Sequence, residues 1–177
     1  MKNAASSIFL IGMPGSGKTT IGKSLARSLR RPFVDLDHQI EQRCGVRIPV
    51  IFEIEGEQGF RRRESQVLAE VAQEDGLVLA TGGGAILAEE NRQILANRGW
   101  VIYLRACVDD LVRRTSKDRN RPLLATQNPR ARLEQLMAER APLYEALADL
   151  VIDTGATSVS AVGQQVAQQV RQLQEQT

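Results

Sequence analysis

Lys18 and Thr19 close the run GMPGSGKTT at residues 12–20, and with Gly12 and Gly17 they complete the spacing GxxxxGK[S/T]. That spacing serves the holding of a polyphosphate. Glycines at 12, 15 and 17 allow backbone conformations in which successive N–H groups turn inward as an anion nest. A helix beginning near Gly17 adds its positive end at the same point. Lys18 then reaches the β- and γ-phosphates of a nucleotide, and the Thr19 hydroxyl holds Mg²⁺. Gly15, Ser16, Gly17, Lys18, Thr19 and Thr20 are therefore the expected nucleotide-binding residues. A flexible turn would account for the glycines but not for a lysine and a threonine at the helix start.

Three further polar features follow apolar runs or lie in a basic loop. Residues 33–36 read as a strand ending in Asp35 and Asp37, and residues 77–80 as one running into Thr81, Gly82, Gly83 and Gly84. The segment 117–129 is polar, basic and interrupted by Pro122, as in a mobile loop over a site. The sequence lacks the Asp-x-x-Gly and Asn-Lys-x-Asp elements of switch GTPases. No Walker B aspartate follows residues 77–80, so Asp35 is the candidate to support Mg²⁺, through water.

The elements that must position these groups alternate. Strands are expected at residues 8–11, 33–36, 77–80, 100–104 and 150–152, and helices after residue 17 and over 37–44, 57–74, 89–97, 108–116, 131–147 and 159–173, with a short apolar segment at 50–54. Strands that are nearly all apolar and separated by helices indicate an α/β fold, a five-stranded parallel sheet with helices on both faces. Such sheets bind ligands beyond the carboxyl ends of their strands, where the P-loop, the aspartate pair and the triple glycine all fall.

A chain of 177 residues is expected to be one domain. Its net charge of +2 implies no broad nucleic-acid field. Only Lys2, Lys18, Lys23 and Lys117 are lysines; the other basic residues are arginines, the planar readers of carboxylates and phosphates. Cys44, Cys107 and the lone His38 form no metal-ligand or disulfide pattern and receive no role, and Trp100 is expected in the core. With no signal peptide, no apolar run of membrane length and no long exposed apolar stripe, the expectation is a cytoplasmic monomer without nucleic-acid or membrane partners.

In order along the chain, GMPGSGKTTIG, FVDLDHQIE, FEIEGEQGFRRRE, TGGGA, RPLL and ERAPLY make the sequence resemble the shikimate kinase family, of the P-loop nucleoside monophosphate kinase type, over nearly its whole length. The resemblance implies a mobile lid at about residues 117–128, a substrate-binding segment at about 37–64, and transfer of the γ-phosphoryl group of ATP to the 3-hydroxyl of shikimate with Mg²⁺. Asp37 matches the family aspartate that binds ring hydroxyls and is the candidate base, although an aspartate before HQIEQRC also suits a helix N-cap. Lys18 and Arg121 complete the implied catalytic set, Arg121 as the lid arginine that meets the γ-phosphate.

Arg61 and Arg140 match the clamp for the substrate carboxylate, Gly82, Gly83 and Gly84 the backbone donors, and Phe52 and Phe60 the apolar wall; for Phe60, core packing is an equal description. Arg114 matches the arginine stacked on adenine, with a second adenine loop near residues 153–158, and Thr19 and Asp35 are the implied metal residues. Arg62 and Arg63 have no counterpart and read as helix surface or ion pairs. A kinase for another small polyol acid or a nucleoside monophosphate, and an ATP-binding module without catalysis, are the other readings.

Overall fold

The computed structural model describes residues 1–155 and 157–176. Among these, five parallel strands, β1 Ser7–Ile11, β2 Phe33–Asp35, β3 Val78–Ala80, β4 Gly99–Arg105 and β5 Leu150–Asp153, lie in the order β2-β3-β1-β4-β5. Strands covered on both faces need no polar alternation. All five residues of β1 are accordingly buried: Ile8 and Leu10 enter one apolar layer and Phe9 and Ile11 the other. Helices α1 Lys18–Leu29 and α7 Val159–Glu175 supply the first layer through Ile21, Leu25, Val162 and Val166. The opposite layer is built by α2 Leu36–Cys44, α3 Ile48–Val71, α4 Glu89–Arg98, α5 Val108–Thr115 and α6 Pro129–Leu147.

β1 is flanked by β3 on one side and β4 on the other, each in parallel register. The chain must pass over β1 to reach β4, so the crevice of an open α/β sheet opens beyond the carboxyl end of β1. Thr81 completes that end structurally, its hydroxyl donating to the carbonyl of Leu10 at 2.9 Å.

The second strand is shorter than expected and only half-buried, because it lies at the sheet edge and pairs with β3 alone. It stops at Asp35, whose side chain accepts from the His38 N–H and caps α2. The N-cap is thus Asp35 rather than Asp37. Asp37 lies in the first turn of α2, so the two carboxylates do not share a strand face.

The expected apolar segment at 50–54 is the first part of α3, which breaks at Gly56 (φ 69°, ψ −178°) and ends at Val71 rather than at residue 74. Glycine adopts that angle without a Cβ penalty, and Arg63 grips Glu55 beside the break with two hydrogen bonds of 2.8 and 2.5 Å. Trp100 is buried in β4 as expected. Cys44 and Cys107 are both free. Among the described residues, no helix is long and apolar enough to cross a membrane.

Candidate active site

The loop between β1 and α1 lies at the crevice. Gly15 (φ 84°) and Gly17 (φ 95°) are left-handed, and a Cβ on Gly15 would come within 2.7 Å of the Thr115 methyl. Gly17 caps α1 with no side-chain hydrogen bond, so the first-turn N–H groups remain available to an anion. The Ser16 hydroxyl oxygen is buried and has no partner among the described residues.

Lys18 is buried and folded back on the loop, donating to the carbonyls of Gly12 at 2.7 Å and Met13 at 2.9 Å. Burial above all, with Arg121 and Arg140 adding to it against the pull of Asp37 and Asp35, brings its pKa down to about 7. A phosphate arriving at this point supplies the counter-charge the ammonium lacks.

Thr19 donates its hydroxyl to Asp35 Oδ2 at 2.5 Å. A hydroxyl and a carboxylate side by side at the loop mouth are hard oxygen ligands and fit Mg²⁺. Among the described residues no cluster of three or more acidic, histidine or cysteine side chains could hold a metal. The ion that fits is therefore one that keeps waters and phosphate oxygens as its other ligands, as Mg²⁺ does.

A cleft of about 350 Å³ continues from the loop, lined by Gly15 to Thr20, Asp35, Asp37, Arg114, Arg121 and Thr154 among others. Arg114 donates to the carbonyls of Gly15 at 3.3 Å and Thr154 at 3.1 Å, which holds its planar group against the wall. The expected adenine loop contributes Thr154 and Thr157 to the same cleft, while residue 156 lies outside the described residues.

A second pocket adjoins the first through Asp37, Gly82, Gly83 and Arg121, which line both. Phe52 and Phe60 form one wall, their ring centroids 4.9 Å apart. Phe60 is also 4% exposed and packs in the core while lining this pocket. Arg61 pairs with Glu64 at 2.8 Å, with its guanidinium 5.2 Å from the centre of the Phe60 ring.

Arg140, from α6, is 2% exposed, its Nε has no hydrogen-bond partner, and no carboxylate among the described residues lies within ion-pair distance of it. Side chains crowd the triple glycine on every side. A Cβ on Gly82 would stand 2.9 Å from both Asp37 Oδ1 and Glu64 Oε2; one on Gly84 would stand 2.3 Å from Arg61 Nη2.

Asp37 is half-buried as a residue, but its Oδ1 is sealed off without a partner among the described residues. Burial first, then the carboxylates of Glu64 and Asp35, raise its pKa to about 7, against the opposing charges of Lys18 and Arg121. Arg121 points into both pockets while paired with Asp118 at 2.6 Å. The arrangement is a phosphate cradle and a compact cationic pocket meeting at one carboxylate.

A shikimate kinase family model matches residues 14–173. The chain is 66% identical to a shikimate kinase of Bordetella avium over 153 residues, covering 86% of this chain and 73% of that protein. The chain belongs to the shikimate kinase family.

The structure of the Acinetobacter baumannii shikimate kinase in complex with shikimate superposes with a TM-score of 0.94 at 45% identity, over 96% of this chain and 95% of that one. The Aquifex aeolicus shikimate kinase aligns at 0.79 and 31% identity, over 94% and 96% of the two chains. The five-stranded parallel sheet described above is the P-loop nucleoside monophosphate kinase-like fold of these family structures.

All residues that the family resemblance singled out in the sequence line one or other pocket. Two that stand among them had received no role. Glu64 is 1% exposed and faces both Asp37 and Arg61; its spacing of three residues after Arg61 on a helix was the available signal. Tyr144 is fully buried and donates its hydroxyl to the carbonyl of Gly83, a contact across 61 residues of sequence that no local pattern announces.

Proposed function

We propose that this member of the family transfers the γ-phosphoryl group of ATP to the 3-hydroxyl of shikimate, giving shikimate 3-phosphate and ADP in the route to aromatic amino acids. The observation that carries this reading is Arg140: a deeply buried cation without a carboxylate partner among the described residues, at the wall of the second pocket. Burying such a charge unpaired is costly, and the carboxylate of a small acid relieves it. Arg61, already oriented by Glu64, completes the grip on the acid group.

The amides at Gly15 to Thr20 and the Lys18 ammonium hold the phosphates, and Arg114 lies flat on the adenine. Thr19, with Asp35 supporting through water, would hold Mg²⁺, which would supply neutralisation of charge on the β- and γ-phosphates. Asp37 takes the proton of the acceptor hydroxyl as that oxygen bonds to the γ-phosphorus and the bond to ADP breaks. Gly82, Gly83 and Gly84 bring backbone donors to shikimate, and Phe52 and Phe60 wall its ring.

Arg121 rides on a lid of about residues 117–128 and exchanges Asp118 for the γ-phosphate on closure, which brings a cation to the transition state and excludes water. The substrate-binding segment is about residues 37–64 of a single domain. The same reading makes the protein a cytoplasmic monomer without nucleic-acid or membrane partners, in keeping with its net charge of +2.

A coupled assay of ADP release with shikimate and Mg²⁺ATP tests the reaction. Turnover dependent on shikimate is expected, and a rate no greater than background ATP hydrolysis would overturn the assignment.

A further inference from the structure

A triple glycine can approach a ligand closely, but nothing in glycine itself holds its peptide planes in one orientation. Tyr144 is placed to do so. It lies on α6 one turn beyond Arg140, on the same inward face, and is fully buried. Its ring stacks on that of Tyr103 in β4, with centroids 5.0 Å apart and planes at 27°. Its hydroxyl donates to the carbonyl oxygen of Gly83. Phenylalanine would fill the same ring volume, so the hydroxyl has a task beyond packing.

Every peptide bond among the described residues is trans. The carbonyl of Gly83 and the N–H of Gly84 therefore lie in one rigid plane and point in opposite directions across the C–N bond. Fixing the carbonyl toward Tyr144 turns the Gly84 N–H the other way. That N–H makes no hydrogen bond among the described residues. Gly84 lines the second pocket beside Arg61, and Gly83 is wedged between Pro14 and Arg140, where an added Cβ would meet them at 2.8 and 3.2 Å. The Arg140 guanidinium also acts directly on the Tyr144 hydroxyl. One helix thus carries both a cation without a carboxylate partner among the described residues and the hydroxyl that holds the Gly83 carbonyl.

We propose that Tyr144 is a positioning residue for shikimate: its hydroxyl orients the peptide between Gly83 and Gly84 so that the Gly84 amide faces the bound acid. It sets affinity for shikimate without touching either substrate. This rests on the assignment of the Arg61, Arg140 and triple-glycine pocket to shikimate.

Tyr144→Phe keeps the stacked ring and removes only the donor. Its shikimate KM is expected to rise about tenfold, the worth of one well-made hydrogen bond, with the ATP KM and kcat nearly unchanged. A purely structural role would instead lower Tm and leave the balance between the two KM values alone. Arg140→Lys, measured in parallel, separates the levels of the argument. If Tyr144→Phe leaves the shikimate KM within about twofold while Arg140→Lys raises it, the positioning role is overturned and the pocket stands; if neither moves it, the pocket assignment itself falls. An ATP KM that rises as much as that for shikimate also overturns the role. Wild-type protein labelled with ¹⁵N-glycine provides a check that needs no variant: the Gly84 amide resonance is expected to shift on adding shikimate, and an unmoved resonance overturns the proposal.

Discussion

Asp37 combines two demands at one residue, and they pull against each other. As the proposed base it would have to be ionised, yet burial and the neighbouring carboxylates of Glu64 and Asp35 raise its pKa from 3.8 to about 7. A base poised near neutrality is well matched to taking a proton from an alcohol. The cost appears in stability. Between about pH 4 and pH 7 the unfolded chain has already released this proton while the folded one retains it, so the Asp37 contribution to stability falls as pH rises through that window. Asp37→Asn escapes the loss. It is expected to lower kcat on the order of 10² or more with ATP binding nearly intact. The same variant is expected to have a Tm several degrees above wild type at pH 8 and no advantage at pH 4, read by thermal denaturation at both values. An unchanged kcat would remove Asp37 as base, and an equal Tm difference at both pH values would remove the burial argument.

At the scale of elements, α2 shows how one carboxylate serves both a fold and a site. Asp35 caps the helix through the His38 N–H and also accepts from the Thr19 hydroxyl at the loop mouth. Asp35→Ala is therefore expected to have two separable effects. Loss of the cap costs about 1 kcal/mol of stability in the ligand-free protein. Loss of the metal support raises the Mg²⁺ concentration needed for half-maximal rate. Urea denaturation without metal and a Mg²⁺ titration of the rate measure them independently; a Mg²⁺ requirement identical to wild type would restrict Asp35 to the cap. The expectation of a longer second strand failed here for a related reason. Leu36 is apolar enough to extend β2, but a helix whose first N–H groups are met by Asp35 competes for the same backbone. In α3 the break was legible as Gly56, whereas continuation of helical structure on both sides of it was not: the Glu55–Arg63 grip and the burial of Ile51 are tertiary. Pro142 likewise sits inside α6 without ending it, and the buried Arg140 and Tyr144 on either side show packing overriding local propensity.

Across the whole molecule, both pockets meet at the carboxyl end of the sheet, where α1, α2, α3 and α6 all contribute lining residues. Saturating Mg²⁺ADP and shikimate bind the folded state only. At about a hundred times its Kd, each is expected to add about 2.7 kcal/mol and raise Tm by several degrees. Scanning calorimetry with each ligand alone and with both is the test, and a Tm indifferent to shikimate would remove the second pocket as its site. The amino-acid order by itself determined the phosphate cradle, because a glycine-rich spacing before a helix is a local geometric requirement. It also determined the parallel sheet, because strands buried on both faces must be apolar throughout. It did not determine the state of the charges. Lys18 lies folded on its own loop, Asp37 stays protonated toward neutrality, Arg61 is paired and Arg140 is not. Each of those facts depends on which distant side chain shares a low-dielectric volume with it, and only packing brings residues from α3, α6 and the triple glycine into one such volume.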